Sequence, residues 1–389
     1  MGLDELRGQI DCVDDEIAGL LQRRMALAAA VAREKQRTGG SVLHKGREQA
    51  IIERLQAQTE PQWHTSLRLV YHSLFQASRA HQQRLLAGEE DSPLRHEIAE
   101  AVERGRAGFP QTGSVACQGI LGAYSHLAAQ RLFRCESPNV VFLRTFDAVF
   151  RAVEQGLCRY GMLPIENSSY GSVTPVYDLL KKHNCHIVRA VRLPIAHCLL
   201  SKAKFLQDVK EIFSHEQALG QCADFLEKLK NVKITVCENT AVAARLAAAC
   251  PGAAAISSEE CAALYGLEVL KRKIQNEPDN ETRFICIAAQ PEMAPHANKT
   301  SVLLSLRHRP GSLAELLQLL AAMDVNLTKL ENRPAPSSSG DFEFLFYLDM
   351  ECDAALPETA RFLEEMARQS ESFLLLGSYL EETYAWNTH

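Results

Sequence analysis

No stretch of this sequence is apolar for long enough to span a bilayer, and the N-terminus lacks the apolar core of a secretion signal. No block or tail of Lys and Arg appears, and the net charge is −6, from 42 basic and 48 acidic residues. A nucleic-acid-binding surface is therefore not indicated. The 12 cysteines include no Cys-x-x-Cys pair. That argues against a structural zinc site or a disulfide framework and for a reducing cytoplasm. His183, Cys185 and His186 lie close together, but a zinc site needs more ligands at set spacing, so the cluster reads as structural. What is present is ordinary for soluble globular protein: 46% apolar and 23% charged residues. A length of 389 residues suggests about two to four domains.

Leu3, Leu6, Ile10, Val13, Ile17 and Leu20 recur at steps of three and four, and Leu27 and Val31 continue the series. The spacing predicts one long amphipathic helix with a narrow seam, ended by Gly39-Gly40. A second helix carries Arg47, Glu48, Ile51, Ile52 and Leu55, and a third runs from about Thr65 to Leu86. Three helices with one very long member do not close a core alone, so a dimer that buries the seams is expected. Arg24 stands where the series calls for an apolar residue. A buried unpaired charge is prohibitively costly, so Arg24 must meet an anion or reach water. Lys35, eleven residues on, returns to nearly the same face, at roughly 100° per residue. Arg7, seventeen residues before Arg24, falls about 100° off that face, so it does not serve the same pocket on one protomer but could serve the partner's. Ser78 and Gln82 form an i,i+4 pair on the third helix.

Residues 3–84 resemble the all-helical, intertwined-dimer chorismate mutase domain, through Arg7, Arg24, Lys35, Arg47-Glu48, Ser78 and Gln82. The resemblance implies that the cations hold a dianionic substrate in a compact chair, as a Claisen rearrangement requires. It puts Lys35 and Gln82 at the ether oxygen, Glu48 at the substrate hydroxyl and Arg7 in the other subunit's site. His44 departs from the acidic residue often found just before Arg47.

Residues 91–113 are charged and turn-rich and read as an exposed connector, in part helical over Leu94 to Arg106. From Ser114 short apolar runs alternate with helical patterns. This predicts an α/β domain in two lobes with its ligand in the cleft at strand ends. Four polar stretches stand at strand exits or mouths: Gly119 to His126, Pro164 to Ser169, Ser214 to Gln217 with Gln221 below, and Thr282-Arg283-Phe284. Capping explains each of the first three singly; it does not explain their order along the chain. A hydroxyl beside a guanidinium at a strand mouth suits carboxylate binding and proton movement.

Residues 114–290 resemble prephenate dehydratase, on Pro164-Ile165-Glu166-Asn167-Ser168, Ser214-His215 with Gln221, and Thr282-Arg283-Phe284. Ile120 and Ala123 depart from the usual Pro and Ser/Thr of the glycine turn. The resemblance gives Thr282 the leading catalytic role. Asn167, Ser168, Ser214 and Gln221 would orient the substrate, Arg283 would either act electrostatically or be only structural, and Phe284 completes the motif. No metal or organic cofactor is implied, because aromatisation drives the step.

Residues 299–380 read as βαββαβ, a ferredoxin-like order. They resemble the ACT regulatory domain, through Arg309-Pro310-Gly311-Ser312-Leu313 and Glu331-Asn332-Arg333-Pro334, with a loop at Pro336–Gly340 beside the second motif. Phenylalanine is the implied ligand, bound where Gly311, Ser312 and Leu313 of one domain meet Glu331, Asn332, Arg333 and Pro334 of a neighbour. Deleting 299–389 is expected to leave an active, phenylalanine-insensitive enzyme.

The expected protein is therefore multidomain, α and α/β. An all-helical domain (1–90), a linker (91–113), a two-lobed α/β domain (114–290) and an ACT domain (299–380) follow one another. The family implied is bifunctional chorismate mutase–prephenate dehydratase, an isomerase and lyase. Its small-molecule partners are chorismate, prephenate and phenylalanine, and it is a homodimer or higher oligomer. Two alternatives stand beside it: a dehydratase whose helical domain only dimerises, and a non-catalytic two-lobed binding protein with an ACT sensor.

Overall fold

The computed structural model describes residues 2–38, 45–87, 92–110, 112–134, 139–335 and 343–384. They divide into two compact units, Met1–Pro93 with Arg309–Leu319, and Leu94–His308 with Leu320–His389. Among the described residues no helix is long and apolar enough to cross a membrane.

The first unit is built on three helices, Leu3–Thr38, Lys45–Gln56 and His64–Ala87. The first has acidic Asp4 and Glu5 in its opening turn and basic Lys35 and Arg37 in its last, as its dipole favours. Gly39-Gly40 and His44 lie outside the described residues. Ala28, Ala32, Ile52 and Phe75 are buried. The predicted seam is not: Leu3, Ile10, Ile17 and Val31 are 65%, 58%, 56% and 46% exposed in a single chain.

In the second unit, helix Pro93–Gly105 buries Ile98, Ala101 and Gly105, so this stretch is not an exposed connector. An apolar face at helical spacing docks it on the segment 291–293. Met293 N–H donates to Ala101 O at 2.9 Å, and the Arg104 guanidinium donates to Pro291 O at 2.9 Å. Gly105 is required there, since a Cβ would lie 1.8 Å from Met293 O.

The first lobe is a mixed sheet in the order Glu381–Thr383, His186–Pro194, Glu281–Ala288, Tyr160–Asn167, Ser114–Gln118 and Asn139–Leu143. The second lobe has five strands, in the order Glu268–Lys271, Cys198–Ser201, Ala253–Ser257, Glu211–Ser214 and Lys233–Val236. The chain passes between the lobes twice, through 195–197 and 272–280. Central strands are buried on both faces, which explains their near-continuous apolar runs. His183 is structural: it stacks on Phe150 and lies between the carboxylates of Glu154, at 2.7 Å, and Asp147, at 3.2 Å.

The C-terminal strands form a four-stranded antiparallel sheet, ordered Leu327–Ala335, Glu343–Met350, Lys299–Ser305 and Ser372–Tyr379. Helices Ser312–Ala322 and Pro357–Gln369 connect them in the chain order βαββαβ. Pro336–Gly340 lies outside the described residues.

This sheet is not a detachable module. Leu303, Leu345, Tyr347, Leu376 and Tyr379 share one core with Leu163, Ile285 and Ile287 of the first lobe. The tail strand Glu381–Thr383 pairs in parallel with His186–Pro194. Deleting 299–389 would therefore strip a hydrophobic core and a sheet edge, and the clean loss of regulation expected above does not follow.

Candidate active sites

In the helical unit, Arg24 is half-buried and touches the Ser78 hydroxyl. Its guanidinium also donates to Leu74 O at 3.3 Å and lies 5.6 Å from the Phe75 ring centroid. Burial holds its basicity below the ordinary value, while Tyr71 and Glu48 pull it up. Gln82 is buried, and its side-chain oxygen has no hydrogen-bond partner among the described residues. An unmet acceptor buried in this way leaves room for a donor from a ligand, and the desolvated guanidinium of Arg24 suits an anionic group. Glu48 pairs with Arg79 at 2.6 Å. Arg79 was not singled out by the sequence, because only the folded helix pair reveals it. Lys35 is half-buried and Arg47 exposed. Arg7 is exposed near Asp4, and seventeen residues of helix put it about 25 Å from Arg24 along the axis.

In the two-lobed unit, Thr282 pairs across the sheet with Asn167. The Asn167 amide donates to Thr282 Oγ1 at 2.9 Å, to Asn280 Oδ1 at 2.8 Å and to Glu281 O at 3.1 Å. Its Oδ1 accepts from the backbone N–H groups of Ser169 and Tyr170, at 3.1 and 3.0 Å. These bonds fix the amide's orientation. Because Thr282 Oγ1 accepts from Asn167, its own proton is directed elsewhere.

The other expected ligands separate. Ser168 ties the turn down: its Oγ accepts from Glu281 N–H at 2.9 Å. Ser214 is fully buried, and its hydroxyl donates to Ile256 O at 2.8 Å, so it does not reach a substrate. Gln221 accepts from His197 Nε2 at 2.6 Å. Burial lowers the His197 pKa, only partly offset by Gln221, which favours a neutral ring that donates from Nε2. Nothing in the sequence pattern joins His197 to Gln221; the hinge segment brings them together.

The structure corrects the reading of Phe284 as a site residue and gives Arg283 the structural role left open above. Phe284 is 2% exposed and belongs to the core with Val115, Met162 and Cys286. Arg283 is 3% exposed and turns from the cleft toward Asp349, Tyr379 and Glu381. Burial works against its charge, but those three groups hold it well above its ordinary value. Strand alternation is the reason: with Thr282 on one face, Arg283 must take the other. The departure at Ala123 also has a consequence, since the helix Tyr124–Phe133 starts without a side-chain cap. Gly122, at φ +85°, is packed so that a Cβ would meet Cys261 Sγ at 2.8 Å.

Of the regulatory residues, Gly311 adopts φ +90° with open space around it. The next turn of chain carries Ser312 and Leu313 into a helix. Glu331 accepts from Ser172 Oγ at 2.6 Å, and Arg333 pairs with Asp178 at 3.0 Å. Asn332 and Pro334 alternate with them and are exposed.

A desolvated cation in a helical unit and a directed hydroxyl at a two-lobed strand mouth describe a two-site enzyme for small anionic substrates. Residues 6–83 match the chorismate mutase type II family and residues 115–292 the prephenate dehydratase family. A bifunctional chorismate mutase/prephenate dehydratase of Enterobacter agglomerans is 32% identical, over 97% of this chain and 95% of the relative. An Arabidopsis thaliana arogenate dehydratase/prephenate dehydratase is 39% identical, over 76% of this chain and 80% of the relative. The crystal structure of Arthrobacter aurescens prephenate dehydratase in complex with L-Phe superposes with a TM-score of 0.62 at 29% identity, covering 69% of this chain and 89% of that one. The chain belongs to the bifunctional chorismate mutase/prephenate dehydratase family.

Proposed function

We propose that the chain works at two sites of its own, with the Asn167–Thr282 hydrogen bond as the observation that carries the second. The protein rearranges chorismate to prephenate and converts prephenate to phenylpyruvate, water and carbon dioxide, in phenylalanine biosynthesis. The first reaction needs no nucleophile and no net proton transfer. Arg24, Lys35 and Arg47 hold the carboxylates, Ser78 supports Arg24, and Glu48 takes the hydroxyl. Lys35 and Gln82 stabilise charge on the ether oxygen. In the second reaction hydroxide leaves poorly, so Thr282 donates its proton to the departing oxygen as the carboxylate is lost as carbon dioxide, and the Thr282 oxygen regains a proton from water. Asn167 aims that hydroxyl, and Gln221, aimed by His197, orients the substrate. The purified chain given chorismate should accumulate prephenate and then phenylpyruvate. A chain that converts added prephenate but leaves chorismate untouched has a helical unit that only dimerises.

The exposed seam Leu3 to Val31 supports a homodimer. Its intertwined form brings Arg7 of the partner to the mutase site. Arg7→Ala and Arg24→Ala subunits, each inactive alone, should regain mutase activity when unfolded and refolded together. In the mixed dimer one pocket carries both lesions and the other neither. Mixed dimers verified by mass but without activity would put both arginines in one pocket.

The C-terminal strand order supports a ferredoxin-like ACT domain over 299–380. The solved relative's complex with L-Phe supports phenylalanine as its ligand. In one domain the open glycine turn at Gly311 offers backbone amides to a carboxylate and Leu313 offers apolar surface; in the neighbouring domain Leu327 precedes the second motif on its strand. Glu331 and Arg333 are engaged elsewhere, so Asn332, Pro334 and the backbone carry this strand's share of recognition.

A further inference from the structure

Four charges stand behind the dehydratase site in a closed square. Glu166 and Arg283 face each other in register on adjacent strands, each next in sequence to a site residue, Asn167 or Thr282. Lys329 and Asp349 face each other in register on adjacent strands of the C-terminal sheet. The partners are crossed between the sheets: Lys329 Nζ donates to Glu166 at 2.7 Å, and Arg283 donates to Asp349. Other groups brace the corners. Tyr379 Oη accepts from Arg283 at 2.8 Å, the Ser301 hydroxyl donates to Asp349, and Glu331 lies 3.7 Å from Lys329. Glu381 also abuts Arg283 and is shared with Lys299 at 3.0 Å and Arg192 at 2.9 Å. Burial opposes the charge on Glu381, yet Arg283, Lys299 and Arg192 hold its pKa down to about 2.

Because side chains alternate along a strand, fixing Glu166 and Arg283 on one face fixes Asn167 and Thr282 on the other. The strands are not held at this end by a regular ladder alone, since their register shifts between Arg283 and Phe284. A bulge loosens pairing locally and lets a side chain be re-aimed, so an anchor beside it has leverage on Thr282.

We propose that Lys329 and Asp349 are positioning residues for dehydration, which hold Glu166 and Arg283 and thereby set the aim of the Asn167–Thr282 pair. The proposal rests on the role given to Thr282 above. It also gives the C-terminal sheet a direct route to the chemistry: any ligand that shifts the strand Leu327–Ala335 pulls on Glu166 through Lys329. Neither Lys329 nor Asp349 touches substrate.

The test is steady-state dehydration of prephenate by the full chain, with mutase rate and thermal unfolding measured on the same samples. Lys329→Met should lower kcat about tenfold, the scale of a small misplacement of a reacting group. KM should stay within about twofold, since binding contacts are untouched. The mutase rate should not change. Lys329→Glu should be worse, and Lys329→Glu with Glu166→Lys should return kcat to within about threefold of the parent, because the pair is restored in reverse. Asp349→Asn should behave like Lys329→Met; if it does not fold, the less deeply buried Lys329–Glu166 pair still decides the matter. In a Thr282→Ala background the Lys329 substitutions should have no further effect on residual kcat. Parent-like kcat in Lys329→Met and Lys329→Glu, with Thr282→Ala inactive, overturns the positioning role and leaves Thr282 standing. Loss of kcat that only follows loss of folded protein, or that the reversed pair fails to recover, overturns it as well. Full kcat in Thr282→Ala overturns the role of Thr282 itself.

Discussion

Thr282→Ala should lower kcat for prephenate dehydration by about 10²–10⁴-fold, the usual worth of a positioned proton donor. KM should hardly move. A group that acts as the carbon–oxygen bond breaks stabilises the transition state and not the bound substrate. The hydrogen-bond direction supplies the reason. Thr282 Oγ1 is already an acceptor from Asn167, so its hydrogen is available to the leaving oxygen. Thr282→Ser keeps the hydroxyl and should retain much of the rate, whereas Thr282→Val keeps the shape and should not. The chorismate reaction, on the other unit, should run as before in all three. Single-turnover measurements at saturating prephenate would check this. A near-parental kcat in Thr282→Ala would reduce the residue to a strand pairing, and another acid would have to be sought.

Arg24→Ala should abolish mutase activity and leave dehydration intact. The guanidinium is desolvated, lies beside the Phe75 ring and touches Ser78, which leaves it poised for a carboxylate. Losing one member of such a charge pair costs about 2–5 kcal/mol of transition-state binding, or roughly 30- to 5000-fold in rate. Arg24→Lys should recover little of it, since an ammonium cannot reproduce the forked contact to a carboxylate. The fold should tolerate the change, because replacing a half-buried cation in an apolar seam removes a desolvation cost. Chorismate consumption by a variant with parental helical content is the decisive reading. A near-parental rate would return Arg24 to the status of a solvated seam residue.

Most of the architecture is legible in the order of residues along the chain. The three-four spacing from Leu3 to Val31 is strong enough to define one helix, realised as Leu3–Thr38, and the breach of that pattern at Arg24 marks a charge that needs a partner. Strand runs such as Val115–Cys117 and Phe284–Ala288 were legible because buried parallel and central strands are continuously apolar. The strands Cys198–Ser201 and Glu268–Lys271 were not, being only four residues long. Thr282 stood out as a hydroxyl beside a guanidinium at a strand mouth, whereas Asn167 was marked by the resemblance to prephenate dehydratase.

Which way neighbouring side chains point, and what meets them, depends on how distant elements pack. Spacing in sequence put Arg283 and Phe284 beside Thr282, but alternation turns Arg283 to the opposite face and the core takes Phe284. Ser214 looked like a ligand because a short polar side chain at a strand exit is ambiguous; its hydroxyl turns out to be spent on Ile256. His197 beside Gln221, Arg79 beside Glu48, and the square of Glu166, Arg283, Lys329 and Asp349 join residues far apart in the chain. One-dimensional periodicity reports which face a residue occupies on its own element. It carries no information about which distant element packs against that face, and that packing decides whether a charge serves substrate or scaffold.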